Sequence, residues 1–291
     1  MTQDLAAPED PRRVAAFFDL DKTVIAKASM VAFSGPLQRA GMLTRRLMLK
    51  AAWGQLVYQM WGASPEKLEK LRESVLALTK GWDQAEISEI VRDALGAVIE
   101  PIVYDEALER IRSHQRWGHR VFIVSASPEE VVAPIAQLLE VDEAIATRAE
   151  LDEQGRYSGR TERYVYADEK VVAMQEAAAR DGIDLEHSWA YSDSATDIPM
   201  LSAVGHPVAV NPDRELARTA RERGWQVEQF RLEVSLRDRV PMPAPRQAAM
   251  GGGAAVAMGL AAGAWWWRRR TVAARAPEPS WLRWRPAPRR R

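Results

Sequence analysis

The chain has no cysteine. That excludes disulfides, thiol nucleophiles and thiolate zinc sites, and it leaves the redox compartment open. Histidine is scarce as well. The four present, His114, His119, His187 and His206, are scattered without metal-ligand spacing, so each is read as structural or surface. Net charge is also missing, since 40 Lys and Arg balance 40 Asp and Glu. The balance is uneven along the chain. Residues 268–291 hold nine Arg against one Glu, a local +8, which leaves −8 on residues 1–267. A neutral-to-acidic body with its basic residues gathered in a tail does not present the basic surface of a nucleic-acid-binding domain, so no nucleic-acid partner is expected. Residues 1–13 are acidic and contain no apolar run, so no secretory signal is expected and the body of the chain is placed in the cytoplasm.

What is present is a globular composition, 47% hydrophobic and 27% charged over 291 residues, enough for a core domain plus an accessory one. Residues 14–20 (VAAFFDL) form an unbroken apolar run of strand length that ends in the charged turn DLDKT. Such runs suit central strands of a parallel sheet covered on both faces. Residues 29–99 read as helical throughout, punctuated by Gly35-Pro36, Gly62 and Gly81, so a helical insertion directly follows the first strand. Residues 101–117 read as one further helix. Residues 121–124 (VFIV) are a second buried strand, followed by a helix with Ser127 as its N-cap. Residues 144–163 carry the turn signals Gly155 and Gly159 and read as short strands in a hairpin. Residues 168–180 are helical, 188–192 (SWAYS) are a third core strand, and 207–210 and 225–230 are further strands. Strands alternating with helices imply a doubly wound, Rossmann-like parallel α/β sheet, whose ligand crevice lies outside the carboxyl ends of the strands. Residues 12–28 and 100–232 are assigned to that α/β core, 29–99 to a helical cap.

From residue 241 the character changes. Residues 241–246 read as a linker, and 247–267 are an uncharged stretch rich in Ala and Gly that ends in Trp265-Trp266-Trp267 and Arg268-Arg269-Arg270. That length suffices to cross about 30 Å as a helix, and aromatic rings followed by arginines suit a membrane interface. The segment is therefore read as a transmembrane or membrane-anchoring helix holding the body at the inner face of the plasma membrane. Gly259 and Gly263 offer a small-residue pair for packing two such helices as a homodimer. Residues 268–291 read as a disordered Arg-rich tail.

The chemistry lies at the strand ends. Three consecutive apolar strands finish in Asp19-x-Asp21, in Ser125, and in Asp193-x-x-x-Asp197, and Lys170 opens the helix before the third. Singly, each is an ordinary turn acid, cap or solvated lysine. Together they supply what phosphoryl transfer needs: a nucleophile, a proton donor, carboxylates for a divalent metal, and groups for the equatorial oxygens.

These residues resemble the haloacid-dehalogenase-like superfamily, in its phosphoserine-phosphatase-like branch (subfamily IB) with a helical cap. The match rests on Asp19-Leu20-Asp21-Lys22-Thr23, on Ser125 after VFIV, on Lys170, on Asp193-Ser-Ala-Thr-Asp197 followed by Ile-Pro-Met-Leu, and on a Gly155-Arg-Tyr-Ser-Gly159 hairpin. It spans roughly residues 14–212. The resemblance implies a phosphomonoester hydrolase in which Asp19 is the nucleophile that becomes an aspartyl phosphate and Asp21 the general acid and base. It implies Ser125, Lys170 and Thr23 on the phosphoryl group. It also implies Mg²⁺ held by Asp19, the backbone carbonyl of Asp21 and Asp193, with Asp197 in support. Two positions depart from the branch. The glutamate expected nine residues after the nucleophile is Ala28, beside Lys27, and the glycines after the second-motif serine are Ala126 and Ser127. Phosphoserine is therefore not the implied substrate. A small or lipid-like phosphate is expected, with the basic and apolar stretch 37–61 as its entrance. The competing readings are another hydrolase or a phosphotransferase of the same superfamily, or a catalytically silent membrane adaptor. Asp21 argues against a dehalogenase or phosphonatase, which need no acid there, and no motif residue is lost as a silent adaptor would predict.

Overall fold

The run that opens the sheet is strand β1, Ala15–Asp19, and all five of its residues are buried. In the computed structural model, which describes residues 10–43 and 76–231, this strand stands at the middle of a seven-stranded sheet. The other strands are β2 (Arg120–Pro128), β3 (Glu143–Leu151), β4 (Tyr157–Arg163), β5 (Trp189–Ser192), β6 (His206–Val210) and β7 (Gln226–Glu228). Their order across the sheet is β4-β3-β2-β1-β5-β6-β7, parallel except for the antiparallel β3–β4 hairpin. The mostly parallel α/β sheet expected from the sequence is present.

The two-residue period of a strand divides the β1 run between two cores. Ala16, Phe18 and Leu20 join one apolar cluster, and Ala15 and Phe17 the other. On one face Phe18 stacks on Tyr191 at 4.3 Å, and on the other Phe17 stacks on Phe122 at 5.0 Å. Burying a phenylalanine on each side contributes about 1.5–3 kcal/mol apiece, so the middle of the sheet is anchored from both faces. The helices that cover it are α4 (Asp105–Arg116), α5 (Glu129–Leu138), α6 (Asp168–Asp181), α7 (Ile198–Ser202) and α8 (Arg214–Arg223). His114 sits inside this packing, its Nε2 2.8 Å from the Tyr191 hydroxyl and its Nδ1 3.0 Å from His119 Nδ1. Burial drives its pKa down to about 3, so it is a neutral core group.

The inserted segment begins with two short helices, α1 (Ser29–Ala32) and α2 (Ser34–Arg39), and returns through α3 (Gln84–Ile99). Asp83 caps α3, accepting from the N–H groups of Ala85 at 2.9 Å and Glu86 at 3.2 Å. The single helix expected over 101–117 is shorter. Pro101 lies in a 3₁₀ turn, Glu100–Ile102, and α4 starts only at Asp105. The cause is tertiary. Ala26 N–H donates to Ile102 O at 2.7 Å and Tyr104 N–H to Val24 O at 3.0 Å, so the outgoing and returning chains pair as they leave the sheet. The hairpin expected over 144–163 is present as β3 and β4, and the start of β4 pairs with the returning chain: Gly81 N–H donates to Tyr157 O at 2.8 Å and Tyr157 N–H to Trp82 O at 3.0 Å. Residues 44–75 of the expected cap lie outside the described residues, as does most of the 37–61 entrance.

The chain divides into two units, Met1–Pro241 and Met242–Arg291, and all described residues lie in the first. The linker 241–246, the anchoring segment 247–267, its Gly259/Gly263 pair and the tail 268–291 all lie outside the described residues. Among the described residues no helix is long and apolar enough to cross a membrane.

One turn under the sheet admits no side chain. A Cβ on Gly205 would fall 1.7 Å from the Glu186 carbonyl oxygen and 2.7 Å from its carbon. The backbone cannot give way cheaply, because Gly205 N–H donates to Leu185 O at 3.0 Å and His206 N–H to Ser188 O at 3.0 Å. Gly205→Ala is expected to cost about 3 kcal/mol or more and to lower Tm by roughly 6–12 °C. Thermal unfolding followed by circular dichroism checks this, and an unchanged Tm would show that the contact is absent.

Candidate active site

Parallel strands deliver their carboxyl ends to one edge of the sheet, and the register decides which side chains meet there. Asp19, the last residue of β1, pairs with Val124 of β2, so it stands beside Ser125. After Leu20 the chain folds tightly: the N–H groups of Thr23, Val24 and Ile25 all donate to Leu20 O at 3.4, 3.0 and 3.1 Å, and Lys22 takes a positive φ of 64°. This wrap turns Asp21 back toward the sheet edge. Strand β2 does not stop at Ser125. It continues to Pro128 with a register shift between Ser125 and Pro128, an irregularity that re-aims the side chains there.

Lys170 is the centre of the polar cluster. Its Nζ donates to Asp19 Oδ1 at 2.6 Å and to Asp197 Oδ2 at 2.8 Å. Asp197 also accepts from Ser192 Oγ at 2.7 Å. All four side chains are buried. One ammonium thus serves two carboxylates, and the balance shows in their proton affinities. Burial pushes the Asp19 carboxyl up to about 8, with Lys170 opposing and Asp197 and Asp21 adding to the rise. Burial works against the Lys170 ammonium, but the two carboxylates outweigh it and hold its pKa above the ordinary lysine range. Asp193, after β5, is raised to about 6 by burial, against the attraction of Lys22.

Each residue expected at the site falls on this edge. Ser125 is buried and its Oγ accepts from Ser127 N–H at 3.1 Å, which leaves its own proton free to donate. Thr23 is wholly buried, and its Oγ1 has no partner among the described residues. Asp21 is engaged twice, by Ser29 N–H at 2.6 Å and by Ser127 Oγ at 2.9 Å. Ser127 is therefore not the helix cap it was expected to be. Pro128 occupies the N-cap of α5, and the Ser127 hydroxyl faces the site instead.

Four contributors were not anticipated as site residues. Ser29 and Ser127 hold Asp21. Ser192 holds Asp197. Asp213 accepts from Ala195 N–H at 2.8 Å and donates its own N–H to Asp193 O at 2.9 Å, which shapes the loop that carries Asp193. Ser192 had a readable signal, being a hydroxyl at the carboxyl end of an apolar strand like Ser125. Ser29 had none, because it is brought in by the fold of the insertion.

Among the described residues no three His, Cys, Asp or Glu side chains converge as a ready metal cage. The reason is visible: Asp197 is drawn to Lys170 and Ser192, and the Asp21 carboxylate to the two serines. Asp19 and Asp193 remain as carboxylates able to take an ion. When ionised, these two and Asp197 place three carboxylates around the buried Lys170 ammonium, with Lys22 attracting Asp193, so negative charge is in excess in a dehydrated place. That donor set of hard carboxylate oxygens suits a divalent cation of the Mg²⁺ kind.

The chain is similar to known hydrolases and phosphatases. A family model described as haloacid dehalogenase-like hydrolase matches residues 16–202. A probable phosphatase of Mycobacterium tuberculosis is 47% identical over 244 residues, covering 84% of this chain and 84% of that protein. A phosphoserine phosphatase of the same organism, SerB1, is 33% identical over 246 residues, covering 84% of this chain and 79% of its own length. Among solved structures, a Bordetella pertussis protein of unknown function superposes with a TM-score of 0.64 at 31% identity, covering 74% of this chain and 98% of that one.

Proposed function

The chain belongs to the haloacid dehalogenase-like hydrolases as a phosphatase of that family, and from this we propose that it hydrolyses phosphomonoesters through an aspartyl phosphate on Asp19 with the help of Mg²⁺. The observation that carries the proposal is the buried bridge from Lys170 to both Asp19 and Asp197 beside the doubly held Asp21. A nucleophilic carboxylate in a dehydrated site needs cations to ionise while a phosphate dianion approaches. Lys170 supplies one, and because burial still holds Asp19 at about 8, a bound divalent ion would supply the rest.

The placement of the side chains supports the following steps. Asp19 attacks phosphorus while Lys170 screens its charge and, with Ser125, donates to the phosphoryl oxygens. Thr23, whose hydroxyl has no partner among the described residues, is a further donor to the phosphoryl group. Asp21 gives a proton to the departing oxygen, then takes one from the water that opens the aspartyl phosphate. Asp19, Asp193 and the backbone carbonyl of Asp21 would hold Mg²⁺, which when bound would supply positive charge between nucleophile and phosphate. Asp197, fixed by Ser192, keeps Lys170 in place. The test is turnover of an aryl phosphate by purified protein with Mg²⁺ and again in excess chelator. Turnover that survives chelation would remove the metal from the scheme.

The excess of negative charge also predicts a pH-dependent response to the ion. Asp19 and Asp193 have folded pKa values, about 8 and about 6, above the ordinary carboxylate value. Acids shifted upward in this way favour the fold when protonated, so the ion-free protein loses stability as pH rises from about 4 through those values. A divalent cation offsets that loss. Adding Mg²⁺ should therefore raise Tm by several degrees at pH 8 and by little at pH 5, as measured by differential scanning calorimetry. Equal shifts at both pH values would contradict the ligand assignment.

Substrate choice is the finer part of the proposal. Although one relative is named a phosphoserine phosphatase, Ala28 here caps α1 with no side-chain hydrogen bond and offers no carboxylate for an ammonium group. A site that reads a charged group gains much of its discrimination from a buried partner. On a panel of amino-acid, sugar, nucleotide and lipid phosphates, phosphoserine is expected to show a kcat/KM at least about tenfold below the best member. Phosphoserine at the head of the panel would overturn this.

A further inference from the structure

Asp21 is held from two sides by groups that arrive from different parts of the chain. Ser127 Oγ donates to Oδ2 at 2.9 Å, and Ser29 N–H donates to Oδ1 at 2.6 Å. A hydroxyl carries one proton. Because that of Ser127 is spent on Asp21, the 2.8 Å contact between the two serine oxygens is Ser29 donating to Ser127. The result is a relay, Ser29 to Ser127 to Asp21, with both serines buried so that water does not compete for its bonds. Ser127 comes from the irregular end of β2, whereas Ser29 is the first residue of α1, where the inserted segment begins. The α1 N-cap, Ala28, supplies no side-chain bond, and Asp21 takes that place from across the loop.

We propose that Ser127, backed by Ser29, is a positioning residue that fixes the direction in which Asp21 gives and takes its proton. The proposal rests on the reading of Asp21 as the proton-transfer residue. Neither serine is hydrogen-bonded to Asp19 or Lys170, so the attacking carboxylate keeps its own support when the relay is broken. The Ser127 hydroxyl removes one of the two rotations open to a carboxylate held only at Oδ1. Without it Asp21 swings about the remaining Ser29 bond, and the proton arrives off line. A misplacement of about 1 Å can cost about 10²-fold in a step that depends on it. Only leaving groups that need a proton feel that loss. A basic alkoxide must be protonated as the P–O bond breaks, while a nitrophenolate departs as a stable anion.

The experiment compares an alkyl phosphate with p-nitrophenyl phosphate, each with Mg²⁺, for wild type, Ser127→Ala, Ser127→Thr and Ser29→Ala. The quantity read is kcat/KM, which covers the steps up to phosphoenzyme formation. Ser127→Ala is expected to lower it about 30-fold on the alkyl phosphate and about threefold on the aryl one, with KM nearly constant. Ser127→Thr, which keeps the hydroxyl, should recover the alkyl activity to within about threefold of wild type. Ser29→Ala should fall between. Equal losses on both substrates, or no loss on either, would overturn the positioning role. Should Ser127→Ala fail to fold, Ser127→Cys keeps the volume with a weaker donor and gives the same comparison. Wild-type protein that hydrolyses neither phosphate overturns the phosphatase reading itself, and this inference with it.

Discussion

Asp19→Asn is expected to reduce hydrolysis of an aryl phosphate to below about 1% of wild type while leaving the protein folded. An amide nitrogen or oxygen is too weak a nucleophile to form the acyl phosphate, so the first covalent step is lost and no other side chain stands in its place. Structure predicts the opposite sign for stability. Asp19 is one of two carboxylates sharing the Lys170 ammonium, and burial pushes its pKa up to about 8. Replacing it by a neutral isostere leaves Lys170 paired with Asp197 alone and removes the buried negative charge that Asp19 takes on as pH rises through about 8. In the absence of divalent ions the variant should therefore melt at or above the wild-type temperature. Activity and Tm measured on one preparation test both halves. Turnover above about 1% would falsify the assignment of Asp19 as nucleophile, and a Tm drop of several degrees would contradict the charge argument.

Lys170→Met carries the other large effect, and here activity and stability fall together. The side chain is nearly inaccessible and touches two carboxylates that are equally enclosed. Methionine fills similar space but leaves Asp19 and Asp197 facing each other without a cation. Breaking a buried charge cluster by removing one partner costs about 3–5 kcal/mol, or roughly 6–20 °C in Tm for a domain of this size. Turnover should fall by about 10³-fold or more, because the donor to the phosphoryl oxygens is lost along with the screening of the nucleophile. Adding Asp197→Asn to Lys170→Met should restore much of the stability and none of the activity, a non-additivity that identifies the electrostatic cause. Lys170→Arg should not restore turnover, since a planar guanidinium cannot occupy the place of a compact ammonium between two acceptors. If Lys170→Met unfolds at the wild-type temperature, the buried bridge is not what holds this edge together.

Much of the fold was legible because its signals are local. The apolar runs at 14–20, 121–124 and 188–192 have strand length and lack the helical period, and they became β1, β2 and β5. The helix expected over 168–180 ends at Asp181 before Gly182, whose φ of 69° suits glycine. Other features were hidden because their causes are distant. Helix α4, which follows the insertion, starts at Asp105 rather than near Pro101 because residues 102–104 pair with residues 24–26, about eighty positions earlier in the chain. Ser127 looked like a helix cap because a serine before a prolyl-acidic stretch normally is one. Its partner, Asp21, lies 106 residues away, and no local pattern could announce it.

The division at the site is similar. Sequence alone determined which residue types gather at the carboxyl edge, because apolar strands that end in Asp19, Ser125 and Asp193 must project those groups where a parallel sheet opens its crevice. It could not determine how the charges are shared. Only the tertiary structure decided that one Lys170 ammonium serves both Asp19 and Asp197, that Asp193 keeps its carboxylate open, and that Asp21 is held by serines from β2 and from the start of the insertion. The physical reason is that residue identity fixes charge and donor count, while burial, register and contacts across more than a hundred residues set the pairing from which proton affinity and aim follow.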